Sequence, residues 1–531
     1  MSSGSFSRVG VVGLGTMGAG IAEVLARGGL DVVGVEVDAE ALERGRGHLE
    51  RSTGRAVERG RLTGEARDAI LGRTTLTTEF ADLGGCDLVI EAVPERLDLK
   101  RRVFATLDGV CREDAVLATN TSSLSVTDIA VTTRRPSKIV GVHFFNPAPV
   151  MRLVEVIGTV LTEPDAVARV AALVEDLGKT PVTVGDRAGF VANRLLFGYL
   201  NQAAGMLESG HATRDDIDTA MKGGAGLPMG PFTLMDLIGL DTCLEVLEAV
   251  YAESRDRRHA PSPVLRELVA AGLLGRKTGQ GFYTYGGTAS GNEGAAGDAA
   301  DGPPPVVGVA GTGPYATAVA RTCGAAGAEV RRVAADDEAA LSGCDLVIEA
   351  AGTDAERAPA LAALAKAAPP DAVLATTAVT VPVIGLAVAS GRPADVVGLR
   401  FPEADGTLVE IAATVASAPG LADRAAALAE RLGLTAVRGR DRAGGIVDAL
   451  RFPYLNDAAA MLGAGYAGAD AIDAAMTLGC GYPTGPIADL DRLGLDRAVA
   501  VLRALYEETR EPAFAPAPLL EEHVTAGRPL R

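Results

Sequence analysis

The chain has 531 residues, which is more than one ordinary domain of roughly 100–200 residues requires, so several domains are expected. Its hydrophobic fraction of 48% is typical of a folded protein. The net charge of −18 argues against nucleic acid or an anionic membrane as a partner. It leaves room for an anionic small molecule, because a Gly-rich loop or a few arginines can still bind phosphate.

The cysteines and the N-terminus indicate a cytoplasmic protein. The cysteines are scattered, form no CxxC pair, and are expected to be reduced. With five histidines and no HExxH motif, no metal site is expected. The N-terminus shows no signal peptide, and no apolar run reaches the ~18 residues of a membrane span. The six cysteines are Cys86, Cys111, Cys243, Cys323, Cys344 and Cys480.

Residues 1–185 alternate short apolar runs with helical patterns. The runs are RVGVVGLG, LDVVGVEV, CDLVIEAV, AVLATN, KIVGVHFF and LVEVIG. Such alternation predicts a mostly parallel sheet with helices on both faces.

A Gly-rich turn, Gly13-Leu-Gly15-Thr-Met-Gly18, follows the first predicted strand and opens a helix. The glycines permit a tight turn, a close approach of the backbone to a pyrophosphate, and close packing of helix on strand. The second predicted strand ends in Glu36, whose carboxylate suits the ribose hydroxyls of NAD and would repel the 2′-phosphate of NADP. The pattern predicts a Rossmann-type NAD-binding domain; the alternative is a purely structural glycine turn.

Residues 186–285 are helix-patterned throughout. The segment ANRLLFGYLNQAAGMLESG ends at a glycine suited to a helix C-cap, and the helix TRDDIDTAMKGG follows. We expect an all-α domain. The Gly- and Pro-rich segment 286–305, GGTASGNEGAAGDAADGPPP, is then predicted to be a linker.

The chain contains a tandem repeat. CDLVIEA begins at Cys86 and again at Cys344, 258 residues later, and AVLAT recurs 257 residues apart. Asp186 pairs with Asp441, and IDTAMKGGAGLPMGP at Ile217 is echoed by IDAAMTLGCGYPTGP, both at an offset of 255. The repeat predicts a second Rossmann-like domain at 306–440 and a second helical domain at 441–531.

Six segments of the first copy resemble one family. They are GLGTMGAGIA, DLVIEAVPE, ATNTSSLSV, GVHFFNPAPVMRLVEVI, GFVANRLL and GRKTGQGFY, in this order over residues 8–285. They resemble the 3-hydroxyacyl-CoA dehydrogenases, which include 3-hydroxybutyryl-CoA dehydrogenases and the dehydrogenase part of fatty-acid oxidation multifunctional proteins. The resemblance implies reversible NAD-dependent oxidation of an (S)-3-hydroxyacyl-CoA, of short chain, to the 3-oxoacyl-CoA.

The resemblance assigns roles to six polar residues. It makes His143 the base for the hydroxyl proton and Glu155 the carboxylate that orients it, although a histidine at a strand end is by itself as readily structural. Ser122 and Asn193 match residues that contact the reacting oxygen; found alone, they would be a turn serine and a helix-start asparagine. Glu95 and Lys100 match positions near the nicotinamide ribose of the cofactor, although they could equally be a solvated i, i+5 pair at a helix start. Asn120 is predicted to lie in the same crevice, because it follows a strand at the end of the sheet where cofactors bind.

A helical stretch after the second strand, HLERSTGRAVERGRLTGEARDAI, matches a hairpin that helps to bind CoA in the family. Arginine suits bidentate contact with phosphate. Glutamates are interleaved, so an ordinary solvated helix face is the alternative. The predicted CoA contacts are Ser52, Arg55, Arg59 and Arg61.

The second copy keeps the apolar pattern and loses the chemistry. A Gly-rich turn remains at Gly311, Gly313 and Ala316, and Glu410 keeps the position of Glu155. The other positions change: Glu36 is replaced by Ala334, Glu95 by Thr353, Lys100 by Ala358, Asn120 by Thr377, Ser122 by Val379, His143 by Arg400, and Asn193 by Asp448. We expect one active site per chain and a degenerate second copy. Family members commonly dimerise through the helical domain, so the two copies are predicted to form an intrachain pseudo-dimer, with further homo-oligomerisation left open.

Two other functions stay open on the sequence alone. One is a related dehydrogenase of a free hydroxy acid, a sugar acid or an acyl-carrier-protein thioester. The other is a non-catalytic protein that binds NAD or acyl-CoA.

Overall fold

A computed structural model describes residues 6–286, 303–325 and 327–531. Of the predicted linker 286–305, residues 287–302 lie outside the described residues. Among the described helices, none is both long enough and apolar enough to cross a membrane.

The first copy contains an eight-stranded sheet in the order β3-β2-β1-β4-β5-β6-β7-β8. All neighbours are parallel except β6 and β7. The strands are β1 (Arg8–Val12), β2 (Asp31–Val35), β3 (Thr74–Thr77), β4 (Leu88–Glu91), β5 (Val116–Thr119), β6 (Ile139–Phe144), β7 (Leu153–Gly158) and β8 (Thr180–Gly185). The helices between them are α1 (Thr16–Arg27), α2 (Ala39–Glu58), α3 (Gly64–Gly72), α4 (Leu97–Val110), α5 (Val126–Ala130) and α6 (Pro164–Asp176).

The Rossmann-type fold is confirmed, and all six predicted strands of this sheet form. Two strands were missed, β3 (TTLT) and β8 (TPVTVG). Both lie at the edges of the sheet, where a strand is only partly covered and carries polar side chains. Such strands lack the continuous apolar run that marks a central parallel strand.

The second part of the first copy is helical, as predicted. Its helices are α7 (Ala192–Glu208), α8 (Arg214–Ala225), α9 (Pro231–Ile238), α10 (Leu240–Ser254) and α11 (Pro263–Ala270). Thr213 caps α8 by accepting a hydrogen bond from the Asp216 N–H, and Gly226 ends it in the left-handed conformation.

The second copy repeats this order with a seven-stranded sheet, β10-β9-β11-β12-β13-β14-β15. Its strands are β9 (Val306–Ala310), β10 (Glu329–Val333), β11 (Leu346–Glu349), β12 (Val373–Thr376), β13 (Val396–Arg400), β14 (Leu408–Ala413) and β15 (Thr435–Arg440). Its helices are α12 (Gly313–Gly324), α13 (Glu338–Leu341), α14 (Asp354–Ala367), α15 (Val383–Ala389), α16 (Leu421–Arg431), α17 (Val447–Gly463), α18 (Ala469–Ala474), α19 (Pro486–Leu493), α20 (Leu495–Thr509) and α21 (Pro518–Ala526).

The two copies differ most between their second strand and the strand LVIE. Gly13 and Gly311 are 298 residues apart, whereas Cys86 and Cys344 are 258 apart, so the near-constant register of the repeat does not extend to the Gly-rich turn. The missing 40 residues are those that build α2, α3 and β3 in the first copy. Only the four-residue α13 stands in their place. The second copy therefore lacks the helical hairpin altogether.

The described chain divides into two compact units that each combine both copies. The first unit comprises residues 1–196 and 249–255 together with 461–488 of the second copy. The second comprises residues 197–248 of the first copy together with 256–460 and 489–531. Within the second unit, α8 packs on β14 and β15. Two N–H groups of β15 donate to the first copy here: that of Arg438 to the Asp216 carboxylate in α8 at 3.0 Å, and that of Arg440 to the His211 carbonyl before α8 at 2.9 Å.

His211 lies at this contact with only 8% of its surface exposed. Burial lowers the pKa of His211 to about 4, and the guanidinium groups of Arg400, Arg442 and Arg440 add to the effect. The folded unit therefore holds this histidine in its neutral form.

His211→Gln is expected to make the protein less sensitive to acid. An unfolded histidine binds a proton near pH 6.5 and the folded one only near pH 4, so the wild type loses stability as pH falls through this window. Glutamine does not titrate there. When the pH is lowered from 7.5 to 5, the unfolding free energy of the variant should rise by about 2 kcal/mol relative to that of the wild type. Denaturant unfolding at both pH values measures it, and parallel pH dependences would contradict the assignment.

Candidate active site

The Gly-rich turn has the geometry of a nucleotide cradle. Gly13 has a φ of 86°, which favours glycine. A Cβ on Gly18 would lie 1.8 Å from the Gly13 carbonyl oxygen, so a side chain is excluded there. A Cβ on Gly15 would meet nothing within 4 Å, which leaves the backbone open at the start of α1. The N-terminus of a helix with open backbone in front of it suits a pyrophosphate.

Glu36 lies directly beside this turn. It follows β2, and its carboxylate accepts hydrogen bonds from the Leu14 N–H at 2.6 Å and from the Val37 N–H at 3.1 Å. A carboxylate held at this place can accept from ribose hydroxyls. The turn and Glu36 together fit NAD.

The corresponding turn of the second copy is built differently. Gly311 and Gly313 remain, but Ala334 carries no acceptor. The guanidinium group of Arg332, on β10, donates instead to the Gly311 carbonyl and to the Thr317 hydroxyl. An arginine side chain thus bridges the turn where the first copy is open.

His143 and Glu155 stand directly opposite each other on the antiparallel strands β6 and β7. The distance from His143 Nδ1 to Glu155 Oε2 is 2.7 Å. The other carboxylate oxygen accepts from the Val191 and Ala192 N–H groups, at 3.1 and 3.0 Å, where α7 begins. Glu155 is fully buried and His143 is 7% exposed. The carboxylate fixes the ring through Nδ1 and leaves Nε2 as the nitrogen that can exchange a proton with a ligand.

Two aromatic rings that sequence reasoning missed enclose this imidazole. The centroid of Phe145 lies 4.5 Å from that of His143, and the centroid of Phe190 lies 5.8 Å away. Phe190 is buried and has a φ of 45°, which a bulky residue rarely adopts. Both residues lie inside the quoted motifs HFFNP and GFVANRLL, which was the only available signal. The second copy has Pro402 and Gly445 at these positions.

Glu95 is the centre of a second polar cluster after β4 and β5. Its carboxylate accepts from the Thr121 hydroxyl at 2.5 Å and from the Ser122 N–H at 2.9 Å, and Lys100 Nζ lies 3.3 Å away. Burial raises the pKa of Glu95, but Lys100 and these donors outweigh it and hold the pKa below its ordinary value. Asn120, at the same end of β5, accepts from the Phe144 N–H at 2.9 Å and so joins β5 to β6.

Lys100 is completely buried, so it faces the cleft only through Glu95. Its ammonium lies 2.8 Å from the buried carboxylate of Glu91. The second copy retains this pairing one residue earlier, because Arg357 lies 3.1 Å from Glu349, although Ala358 occupies the aligned position. The second copy therefore keeps a buried cation beside this carboxylate, one position earlier in the helix. Its retention indicates that the ion pair supports the sheet in both copies.

Ser122 and Asn193 are placed at the same edge of the sheet as His143. Ser122 follows β5, the parallel neighbour of β6. Asn193 lies in the first turn of α7, next to the Ala192 N–H that binds Glu155. Both side chains are partly exposed.

The four predicted CoA contacts line one cavity of about 230 Å³. Residues of α1 and of the loop after β6, which sequence reasoning did not single out, complete its wall. Glu23 in this wall is 1% exposed, and burial raises its pKa. The wall residues are Glu23, Arg27, Ser52, Arg55, Ala56, Arg59, Arg61, Pro147, Pro149 and Val150. An arginine-rich cavity of this kind suits phosphate groups.

Arg400 and Glu410 occupy the positions of the histidine and its partner in the second copy. Arg400 donates to the Ala378 carbonyl at 2.7 Å and lies 3.4 Å from Asp441. Glu410 accepts from the Ile446 and Val447 N–H groups at 3.0 and 2.7 Å. Burial raises the pKa of Glu410 to about 7. An arginine remains charged near neutral pH and cannot act as a base there.

Known sequences and structures match both copies. The profile "3-hydroxyacyl-CoA dehydrogenase, NAD binding domain" matches residues 8–187 and 315–442, and the profile of the C-terminal domain of these enzymes matches 189–285 and 444–531. The 3-hydroxyadipyl-CoA dehydrogenase of Escherichia coli is 34% identical over 97% of this chain and 96% of its own length. The 3-hydroxybutyryl-CoA dehydrogenase of Mycobacterium tuberculosis is 45% identical over 53% of this chain and 100% of its own length. A crystal structure of 3-hydroxybutyryl-CoA dehydrogenase from Escherichia coli K12 superposes with a TM-score of 0.78, covering 98% of this chain and 99% of the other at 32% identity.

Glu36→Gln is expected to weaken NADH binding roughly tenfold. The substitution keeps the shape of the side chain and removes the charge that receives the ribose hydroxyls, and hydrogen bonds to a charged group contribute about 1.5–3 kcal/mol. Calorimetric titration should give one NADH per chain for the wild type, and the matched variant Ala334→Ser of the second copy should bind normally. Two NADH molecules per chain, or equal affinities for Glu36→Gln and wild type, would contradict the assignment.

Proposed function

The chain belongs to the 3-hydroxyacyl-CoA dehydrogenase family, and we propose that it catalyses the reversible NAD-dependent oxidation of a short-chain (S)-3-hydroxyacyl-CoA to the 3-oxoacyl-CoA. The observation that carries this proposal is the His143–Glu155 pair. A histidine bound through Nδ1 to a buried carboxylate at 2.7 Å is the arrangement that a proton transfer to and from a secondary alcohol requires.

In the proposed reaction, His143 Nε2 removes the proton of the C3 hydroxyl group. NAD, held at the Gly-rich turn and Glu36, would supply the two-electron acceptor for the hydride of C3. Glu155 stabilises the imidazolium that forms and keeps the ring in the correct tautomer. In the reverse direction the same imidazolium returns the proton to the carbonyl oxygen.

Ser122 and Asn193 are proposed to donate hydrogen bonds to the C3 oxygen as its charge develops. Ser122 is restrained by Glu95, which accepts its N–H at 2.9 Å, and Asn193 by its place in the first turn of α7. Restrained donors lose little entropy when the substrate arrives, which favours catalysis over mere binding.

The CoA moiety is proposed to bind along the arginine-lined cavity. Its wall includes Pro147 and Pro149 in the loop that follows β6, the strand of His143, so the cavity adjoins the catalytic strand. This neighbourhood supports a thioester substrate over a free hydroxy acid. The second copy lacks α2 and the turn after it, and hence the part of this wall that Ser52, Arg55, Ala56, Arg59 and Arg61 form in the first copy.

Similarity over nearly the whole length to a 3-hydroxyadipyl-CoA dehydrogenase favours a second candidate substrate, a 3-hydroxyacyl-CoA that carries a terminal carboxylate. A panel of acetoacetyl-CoA, 3-oxoadipyl-CoA and longer 3-oxoacyl-CoAs with NADH compares the two candidates. The larger kcat/KM identifies the substrate class.

The second copy is proposed to take the place of a second subunit. Residues 461–488 of the second copy lie in the same compact unit as the first sheet, and residues 197–248 of the first copy lie with the second sheet. This reciprocal exchange supports an intrachain pseudo-dimer with one active site.

His143→Asn is expected to lower kcat about 1,000-fold, because a general base contributes roughly 10²–10⁴ to the rate. The KM for NADH should stay within about twofold, since His143 is not part of the nucleotide cradle. Steady-state reduction of acetoacetyl-CoA measures both constants. Arg400→Lys, at the matched position of the second copy, should leave kcat unchanged.

The non-catalytic alternative makes the opposite prediction for the same experiment. It expects wild type and His143→Asn to bind NADH equally and to show no turnover with any acyl-CoA. Turnover that survives the substitution would remove His143 from the reaction.

Arg55→Ala combined with Arg59→Ala is expected to raise the KM for acetoacetyl-CoA about tenfold and to leave the KM for NADH unchanged. Arg51→Ala provides the control, because Arg51 lies on the same helix but not in the cavity wall. Equal KM values in the double variant, or equal turnover of acetoacetate and acetoacetyl-CoA, would contradict a CoA-binding role.

A further inference from the structure

A segment of the second copy contacts the catalytic strands of the first within the first compact unit. Helix α18 packs on β8 and continues as a π-helical turn, Ala475–Gly479, that packs on β7. The Tyr466 hydroxyl donates to the Gly185 carbonyl at 2.8 Å. The degenerate copy is therefore attached to the strand that carries Glu155.

Gly479 is the point of closest approach to the site. A Cβ on Gly479 would lie 2.6 Å from Leu153 Cδ2 and 3.3 Å from Phe145 Cε1. Leu153 precedes Glu155 by two residues on β7, and the Phe145 ring packs on the His143 ring at 4.5 Å between centroids. Contact at Gly479 thus reaches His143 through the Phe145 ring, and it meets β7 at Leu153, two residues before Glu155.

The pKa of the next residue, Cys480, is affected by the charge of the Glu155 carboxylate. Burial is the larger cause that raises the pKa of the Cys480 thiol to about 12, and Glu155 is the second. The turn therefore lies within electrostatic range of the Glu155 carboxylate as well as in contact with Phe145.

We propose that Gly479 is a positioning residue for the first copy's active site: its missing side chain lets the second copy close over Phe145 and so holds the His143 ring against Glu155. This inference rests on the proposed function. It gives the second copy, which has no base of its own, a specific role in the reaction.

The repeat supplies a matched control for this contact. Gly224 of the first copy packs in the same way on the second, where its Cβ would lie 2.6 Å from Val447 Cγ2, 3.3 Å from Leu408 Cδ2 and 3.3 Å from Pro402 Cγ. Leu408 and Pro402 are the counterparts of Leu153 and Phe145. Gly224→Ala therefore makes a similar steric change beside Arg400, where no reaction is proposed.

In the full chain, Gly479→Ala is expected to lower kcat for acetoacetyl-CoA reduction about tenfold, because a displacement of about 1 Å at a catalytic group can cost up to 100-fold. The KM for NADH should be unchanged. Gly224→Ala should lower the melting temperature by a similar amount and leave kcat at the wild-type value. Equal kcat values for the two variants, whether both reduced or both normal, would overturn the proposal.

A double-mutant cycle with Phe145→Leu tests the route of the effect. If Gly479 acts through the Phe145 ring, Gly479→Ala should lower kcat no further in the Phe145→Leu background, and additive losses would overturn the proposal. If Gly479→Ala alone fails to fold, the same comparison is made in a Leu153→Val background, because valine lacks the Cδ2 atom that lies 2.6 Å from the new methyl group. The His143→Asn variant separates this inference from the proposed function. If His143→Asn lowers turnover and Gly479→Ala does not, this inference fails while the proposed function stands.

Discussion

The buried carboxylate of Glu155 is the interaction on which the site depends. One oxygen holds His143 across the single antiparallel step of the sheet, and the other accepts two N–H groups at the start of α7. A buried carboxylate is costly unless it is hydrogen-bonded, so strand β6, strand β7 and helix α7 are all fixed relative to this one group. The same bonds that satisfy the charge therefore also orient the imidazole that we propose as the base.

The second copy separates the structural part of this arrangement from the chemical part. Glu410 still binds the N–H groups at the start of α17, while Arg400 has replaced the histidine and turned to Ala378 and Asp441. Burial raises the pKa of Glu410 to about 7, although the Ile446 and Val447 N–H groups and the Arg400 guanidinium lower it. The hydrogen bonds that connect the sheet to the start of the helix are present in both copies and so belong to the fold. The histidine is present in the first copy alone.

The arrangement of the two copies gives the degenerate one a reason to persist. Each compact unit is completed by a helical segment from the other copy, so removal of the second copy would expose the surface of β7 and β8 that α18 and its π turn cover. Loss of the α2–α3 hairpin, by contrast, removes the elements that in the first copy line the cavity proposed for CoA. The elements that were lost are thus ones to which ligand binding is assigned in our proposal, whereas the elements that were kept pack against the other copy.

The sequence by itself determined the fold class, the repeat, six strands of the first sheet and the identity of the pair His143 and Glu155. These features depend on local patterns: apolar runs mark buried parallel strands, and glycine spacing marks a tight turn before a helix. The edge strands β3 and β8 were not predicted, because partly exposed strands carry no continuous apolar run. Phe145, Phe190 and Gly479 could not be assigned from sequence either. Their roles arise where β6, the start of α7 and a segment of the second copy, more than 300 residues after β6, come together. Contacts between elements distant in sequence leave no local pattern, and only the tertiary structure decided them.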